Sequence, residues 1–410
     1  MKVVQVTTSP KGGAGIAAFR LHNALRDAGV SSAYVSNTLT MDFDGQRIDD
    51  PMFRYEKPSI VNRVIAKLKS IASPSDLEKF NSKLRSIEPV LEFEVISSPF
   101  SRLQLETHPL IREADIVHLH WVGNILNFPS FFNALHKPVV WTLHDMNPFS
   151  GLFHYEADEL QSGSATFLDR EAREIKRKAI RQIDNGAVIS PSVWLLEKAA
   201  KSKVFDSFGI KETIPNSIDT SLFGSIDKEM ARKELNLDTS AKVLLFTAAQ
   251  LDIHRKGFDL LLEALEDVNS EVIVLTMGKG SLQVANKNVK IIPLGYMTDE
   301  TEIAKCYAAA DAFLLPSRED NLPNTMLEAF AAGTAVVAFE NGGMKEHIKT
   351  GINGVLMQQT NPSSLANAIN DILNGVYTFD PNVIRTYARD HFSAARQASA
   401  YLKIYRDLLT

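Results

Sequence analysis

Ala312-Phe313-Leu314-Leu315-Pro316-Ser317-Arg318-Glu319-Asp320-Asn321-Leu322-Pro323-Asn324-Thr325-Met326-Leu327-Glu328-Ala329-Phe330-Ala331-Ala332-Gly333-Thr334-Ala335-Val336-Val337-Ala338-Phe339 is the stretch that decides the fold class. The continuous apolar run 312–316 reads as a strand covered on both faces. A short loop follows, a helix begins near Asn324, and a second apolar strand spans 335–339. That is a βαβ unit of a parallel sheet. The N–H groups of the helix start, with the positive end of its dipole, form an anion site. Glu328 lies one turn further on, on the same side as Asn324, where a carboxylate can accept two hydrogen bonds from vicinal ribose hydroxyls. Asp320, on the loop, can meet the hydroxyls of a sugar beyond the phosphates. Two carboxylates at this spacing are commonplace by themselves, so the chemistry rests on the rest of the chain.

Working outward, the same alternation runs through most of the sequence. Strands are predicted at 3–8, 32–36, 92–97, 116–121, 138–144 and 187–191, then at 242–248, 271–277, 289–294, 312–316 and 335–339. The polar, Pro-containing stretch 211–219 separates the two sets and reads as a linker. The fold class is therefore α/β, with two domains of similar size. In such sheets ligands sit beyond the carboxyl ends of the strands, which predicts a cleft between the two domains. Helical segments at 382–391 and 394–409 end the chain.

Composition narrows the function classes. The 410 residues suffice for two or three domains, and 45% hydrophobic with 23% charged residues is ordinary globular usage. A net charge of -5, from 44 basic and 49 acidic residues, gives no chain-wide cationic field for nucleic acid. Cys306 is the one cysteine, so neither a disulfide framework nor a cysteine zinc site is expected, in keeping with a reducing compartment. The start lacks a signal-like segment and no apolar run is long enough to span a membrane, so the expected location is the cytoplasm.

Several motifs sit at predicted strand ends. Pro10-Lys11-Gly12-Gly13-Ala14-Gly15 joins the first strand to a helix at 16–28 but satisfies neither a dinucleotide fingerprint nor a P-loop. It is read as a tight turn that also lines the cleft. His118 and His120 share one strand face, as a metal pair or as plain hydrogen-bonding residues; no third ligand stands at a metal-like spacing. His144 and Asp145 close the next strand, as an acid/base couple or as structural groups, with no Ser or Cys elbow to complete a triad. In the second half Arg255-Lys256-Gly257 follows the first strand and can aim two cations at a diphosphate. Gly278-Lys279-Gly280, after the next strand, can admit a nucleotide base against bare backbone, or is only a turn.

Together these residues resemble the retaining, nucleotide-sugar-dependent glycosyltransferases of the GT-B fold, specifically glycosyltransferase family 4. The resemblance is strongest over 214–357, weaker over 1–121 and absent over 40–92. It implies two Rossmann-like domains facing across a cleft: an acceptor-side domain at 1–210, a nucleotide-sugar-binding domain at 211–392, and a terminal helix at 393–410 packing back on the first. It assigns Glu328 to the ribose, Asn324 and Thr325 to the diphosphate and donor sugar, and Asp320 to sugar hydroxyls. Arg255 and Lys256 become the diphosphate clamp. Gly12, Gly13 and Gly15 match the acceptor-side loop, and His144 matches the histidine near the transferred sugar. The family's interdomain Ile-Pro-Asn-x-x-Asp matches 214–219. Two departures stand out: Asp320 replaces the family's usual Glu, with Glu319 beside it, and the arginine that often precedes the Lys-Gly pair is absent, leaving Arg255.

The implied chemistry is transfer of a sugar from a nucleoside-diphosphate donor to a glycan or lipid-linked acceptor in cell-surface polysaccharide biosynthesis. It needs no metal and no resident cofactor. A nucleotide-sugar epimerase of similar fold and a non-catalytic glycosyltransferase-like subunit are the alternatives, and acceptor-dependence of donor turnover separates them. Outside the resemblance, residues 54–85 carry eight basic against three acidic side chains. Apolar residues there recur at helical spacing, so 58–72 reads as a basic amphipathic helix that either packs on the first domain or makes weak contact with an anionic membrane surface through Arg63, Lys67 and Lys69.

Overall fold

The computed structural model of the protein describes residues 1–54, 73–87, 94–160 and 163–410. The basic segment 58–72 lies outside the described residues. Two compact units are present: Met1–Ile214 together with Ala398–Thr410, and Pro215–Gln397.

In the first unit the described strands are β1 (Lys2–Val6), β2 (Ser31–Val35), β3 (Thr40–Met41), β4 (Arg47–Ile48), β5 (Ile116–Leu119), β6 (Val139–Thr142), β7 (Gly186–Ser190) and β8 (Ile210–Thr213). They form one sheet in the order β4-β3-β2-β1-β5-β6-β7-β8. The six strands from β2 to β8 in that order run parallel, and β3 and β4 add an antiparallel hairpin at one edge. Alternation of side chains sorts the inner strands into two faces. One is apolar: Val4, Val6, Val117, Leu119, Val139 and Trp141 pack with Phe128, Phe131 and Phe132. The other is polar yet buried, carrying Gln5, His118, His120 and Thr142. The final helix, Ala394–Leu409, brings Tyr401 and Tyr405 to that face.

In the second unit β9 (Val243–Gln250), β10 (Val272–Lys279), β11 (Val289–Gly295), β12 (Ala312–Leu315), β13 (Ala335–Phe339) and β14 (Gly354–Met357) make a wholly parallel sheet in the order β11-β10-β9-β12-β13-β14. Here both faces are apolar. Val243, Leu245, Phe313, Leu315 and Val336 point into one layer, and Leu244, Phe246, Leu314, Val337 and Phe339 into the other. The strand order reverses between β1 and β5 in the first unit and between β9 and β12 in the second. Those reversals are the topological switch points, where open α/β sheets leave a crevice at the strand ends.

Some elements differ from the sequence expectation. Lys211 and Glu212, read as linker, belong to β8, an edge strand short and polar enough to face water. The expected strand at 92–97 reduces, within the described residues, to a single bridge between Ile96 and Phe153. The helix expected at 16–28 begins earlier, spanning Gly12–Asp27. Among the described residues no helix is long and apolar enough to cross a membrane.

Candidate active site

The switch point of the second unit collects most of the predicted site. After β9 the chain makes a short 3-10 turn, His254–Lys256, and Gly257 at φ 72° starts the helix Phe258–Glu266. A Cβ on Gly257 would stand 1.9 Å from the Pro316 carbonyl oxygen, so this position needs both the left-handed conformation and the missing side chain. The loop after β12 is tied to that turn. Arg318 N–H donates to the Arg255 carbonyl at 2.8 Å. The Arg318 guanidinium forks onto both oxygens of Asp259 at 2.6 Å and reaches the His254 carbonyl at 2.7 Å. These bonds tie the two loops together.

Within this frame Lys256 Nζ donates to Asp320 Oδ2 at 2.5 Å, and Arg255 Nη1 lies 3.7 Å from the same oxygen. Arg255 also donates to the Glu319 carbonyl at 3.0 Å, and the Ser317 hydroxyl donates to Asp320 Oδ2 at 3.4 Å. Burial pushes the Asp320 carboxyl up, but the Lys256 and Arg255 charges outweigh it and hold the group below the usual carboxylate range. The side chains of all three are mostly buried, so water screens their interaction weakly.

The helix Asn324–Ala332 starts three residues beyond Asn321, with Pro323 at the N-cap supplying no side-chain acceptor to the first turn. Asn324 Oδ1 accepts from Asn216 Nδ2 at 3.3 Å, and Tyr307 OH donates to Glu328 Oε2 at 3.2 Å. Thr325 lies on the first turn, half-buried. Gly278, at φ 143°, lets the end of β10 press against the Ala248 carbonyl, where a Cβ would come within 1.9 Å. Gly342 performs the same service under Asp320, with a virtual Cβ 1.7 Å from the Asp320 carbonyl oxygen. Asn216, Tyr307 and Gly342 were not among the residues singled out from the sequence. Asn216 carried a signal, the Ile-Pro-Asn stretch, but nothing in the sequence pairs it with Asn324, 108 positions away.

At the switch point of the first unit, Gly12 takes φ 77° and the helix follows directly. A Cβ at Gly15 would meet the Ser9 carbonyl at 2.1 Å, so its bare backbone serves the packing of the turn. Gly13, on the first turn, has nothing within 4 Å of a virtual Cβ and borders open space.

The histidines form a chain. His144 Nε2 lies 3.1 Å from His120 Nδ1, and His120 Nε2 lies 2.8 Å from Gln5 Oε1. His118 bonds Tyr405 OH through Nδ1 and Thr142 Oγ1 through Nε2, each at 2.7 Å. Both nitrogens of His118 and of His120 are thus engaged by protein groups, which corrects the metal-pair reading. Burial pushes His118 and His120 well below the usual imidazole range and His144 down to about 4, so all three rings are neutral at physiological pH.

The His144–Asp145 couple is corrected too. Asp145 Oδ2 accepts from Trp121 Nε1 at 2.7 Å and bonds His154 Nδ1 at 2.6 Å, while His154 Nε2 meets Ser97 Oγ at 2.8 Å. Asp145 Oδ2 is committed to Trp121 and His154. Ser97, His154 and Asp145 have the connectivity of a hydrolytic triad, but all three are buried. They fasten the loop after β6 to the segment before Pro99.

That loop has a second anchor in Lys176. Fully buried on the helix Thr166–Ile180, its ammonium donates to Asn147 O at 2.6 Å, Asn147 Oδ1 at 3.0 Å and Gly151 O at 2.7 Å. Lys176→Met is expected to cost about 1 to 3 kcal/mol in urea unfolding at pH 6, because three buried oxygens lose their donor. Burial lowers the Lys176 pKa to about 7, partly offset by Asp145 and Asp169, against 10.5 for an exposed lysine. Between those pH values the unfolded chain holds a proton that the folded chain does not, so wild-type stability should rise with pH relative to Lys176→Met. A difference that stays flat from pH 7 to 9.5 would contradict this placement.

Two α/β units with switch points at β1/β5 and β9/β12 define the architecture of GT-B glycosyltransferases. Residues 241–375 match the family described as Glycosyl transferases group 1. A D-inositol 3-phosphate glycosyltransferase from Catenulispora acidiphila is 27% identical over 325 residues, covering 72% of each chain. A glycogen synthase from Thermus thermophilus is 26% identical over 360 residues, 76% of this chain and 77% of that one. Among solved structures, Anabaena HepE in complex with UDP superposes with a TM-score of 0.59 at 17% identity, covering 99% of this chain and 100% of that one. Sucrose-phosphate synthase from Thermosynechococcus elongatus gives 0.63 at 17%, covering 100% and 98%. At such identity the structural likeness establishes the fold.

Proposed function

We propose that the protein is a retaining glycosyltransferase of family 4 that moves a sugar, a hexose by the same resemblance, from a nucleoside-diphosphate donor to a glycan or lipid-linked acceptor, in cell-surface polysaccharide biosynthesis at the cytoplasmic side. The observation that carries the reading is that Arg255, Lys256, Gly278, Asp320, Asn324, Thr325 and Glu328 all fall inside the segment matched to the group 1 family. Relatives and neighbours support a nucleotide-sugar donor, since HepE was solved with UDP and with UDP-glucose.

In this reading the donor diphosphate lies against Arg255, Lys256 and the first turn of the helix Asn324–Ala332. Glu328, held by Tyr307, takes the ribose hydroxyls. Gly278 admits the base, while Thr325 and Asp320 orient the sugar. As the bond from the anomeric carbon to the diphosphate breaks, the acceptor oxygen bonds to that carbon on the same face, and its proton passes to the departing phosphate oxygen. Charge grows on the diphosphate in that step, and fixed cations aimed at it are the main electrostatic contribution of the protein. Gly13 is assigned to the acceptor side and His144 to the transferred sugar.

Because Arg255, Lys256 and the helix start neutralise the leaving group, turnover is expected to survive chelation. The test is acceptor-dependent release of nucleoside diphosphate from UDP-, GDP- and ADP-sugars with and without EDTA. Turnover abolished by EDTA and restored by magnesium or manganese would contradict this mechanism, and donor conversion without any acceptor would favour the epimerase alternative.

A further inference from the structure

Arg318 stands two residues before Asp320 and reaches back to the turn that carries Arg255 and Lys256. Its main-chain N–H donates to the Arg255 carbonyl at 2.8 Å, and its Nη1 donates to the His254 carbonyl at 2.7 Å. The same guanidinium takes both oxygens of Asp259, on the first turn of the helix Phe258–Glu266, at 2.6 Å each. One residue therefore holds two successive carbonyls of the turn and the carboxylate just beyond it. The contact is returned, because Arg255 Nη1 donates to the Glu319 carbonyl at 3.0 Å. Gly257 closes the arrangement from the other side of Lys256, seated so near the Pro316 carbonyl oxygen that a Cβ there would stand 1.9 Å away. Lys256 is thus flanked on both sides by residues held against the segment 316–319.

The fork is better suited to geometry than to stability. Asp259 is 45% exposed and Arg318 25%, and an ion pair so open to water contributes little to folding. A planar guanidinium on both oxygens of a carboxylate, by contrast, fixes distance and orientation together, which a lysine ammonium does not. The hydrogen bond from Arg318 holds the Asp259 carboxyl below the usual carboxylate range against the opposing effect of burial, so the fork is charged at neutral pH. The exposed His254 ring lies farther off, with Nε2 3.9 Å from Asp259 Oδ2. Placement matters most for charges that act on a leaving group, since they help only when already aimed at it, and a misplacement of about 1 Å can cost on the order of 10² in rate.

We propose that Arg318, acting through Asp259, is a positioning residue for the diphosphate clamp: it fixes the turn His254–Lys256 against the loop after β12 and so sets where the Arg255 and Lys256 charges stand. The clamp rests on the function proposed above; the tie between the two loops does not. Arg318 itself touches no donor atom in this account. Its loss leaves both cations in the chain but lets them wander, so it acts on the step in which charge grows rather than on binding of the donor.

The test uses the full chain as wild type, Arg318→Met, Arg318→Lys, Asp259→Asn and the double variant Arg318→Met/Asp259→Asn, with far-UV circular dichroism as the control on folding. Amide hydrogen exchange over 254–261, where Lys256 N–H and Gly257 N–H are bonded within the turn, is expected to quicken about tenfold or more in Arg318→Met, with β13 unchanged. Unaltered exchange would overturn the proposal. In acceptor-dependent turnover, kcat of Arg318→Met should fall about tenfold or more while the donor KM stays within about threefold, and Arg318→Lys should recover only part of the loss. The double variant should fall no further than Arg318→Met, because both changes break one fork; losses that multiply would remove Asp259 from the role. Quickened exchange with unaltered kcat, or a raised KM at constant kcat, would overturn the positioning role. Asp259→Asn leaves Arg318 its two main-chain contacts and carries the same expectations in smaller measure should Arg318→Met not fold. Absence of any donor turnover in wild type would sink the transferase reading and the clamp with it, whereas the exchange result decides the tie without turnover.

Discussion

Lys256→Ala is expected to lower the rate of sugar transfer at saturating donor by about 10²- to 10³-fold, the range seen when one preorganised charge-stabilising donor is removed from an active site. Lys256 is the closer of the two cations that face Asp320 at the β9/β12 switch point, at 2.5 Å against 3.7 Å for Arg255. In the resting protein its charge is balanced by Asp320. Growth of negative charge on a departing diphosphate then gives the ammonium a second partner, and an alanine offers nothing there. The fold should persist, because Arg255 still faces Asp320 and the loops stay tied by Arg318 and Asp259. Lys256→Arg restores a cation on a longer, planar head and should recover part of the loss. Initial rates of transfer for the three proteins, with far-UV circular dichroism as the control on folding, provide the check. A rate for Lys256→Ala within threefold of wild type would remove Lys256 from the machinery.

Much of this site was legible in the sequence because its determinants are local. The apolar run 312–316, the loop and the helix beginning at Asn324 read directly as strand, turn and helix, and the structure starts that helix at Asn324. Arg255-Lys256-Gly257 and Gly278 were legible for the same reason: each follows a strand covered on both faces, and such strands announce their ends. What escaped depends on partners distant in sequence. Tyr307 meets Glu328 across 21 positions, Asn216 meets Asn324 across 108, and Ser97 meets His154 across 57. No periodicity encodes those pairs. β14 and the β3–β4 hairpin are only two to four residues long, too short for a pattern to form.

Lys176 is a different case, since its signal was present. It occupies a position on the stripe Leu168, Ala172, Ala179 and Ile180 that faces the core, while its basic neighbours Arg173, Arg177 and Lys178 mask it as one more member of a solvated run. A lysine on the apolar stripe of a helix is a buried cation in search of oxygens. The carbonyls of Asn147 and Gly151 supply them.

The central claim is that the second unit holds the nucleoside diphosphate of the donor, with Glu328 on its ribose. Glu328→Gln keeps the size of the side chain and its place beside Tyr307, but replaces a charged two-ended acceptor with an amide that accepts at one end. The expected loss is about 1 to 3 kcal/mol, or about 5- to 150-fold in affinity. The most direct measurement is calorimetric titration of UDP, GDP and ADP into wild type and Glu328→Gln under the same conditions. At least one nucleotide should bind wild type and weaken by that factor in the variant; equal affinity for both proteins, or no binding of any of the three to wild type, would contradict the claim.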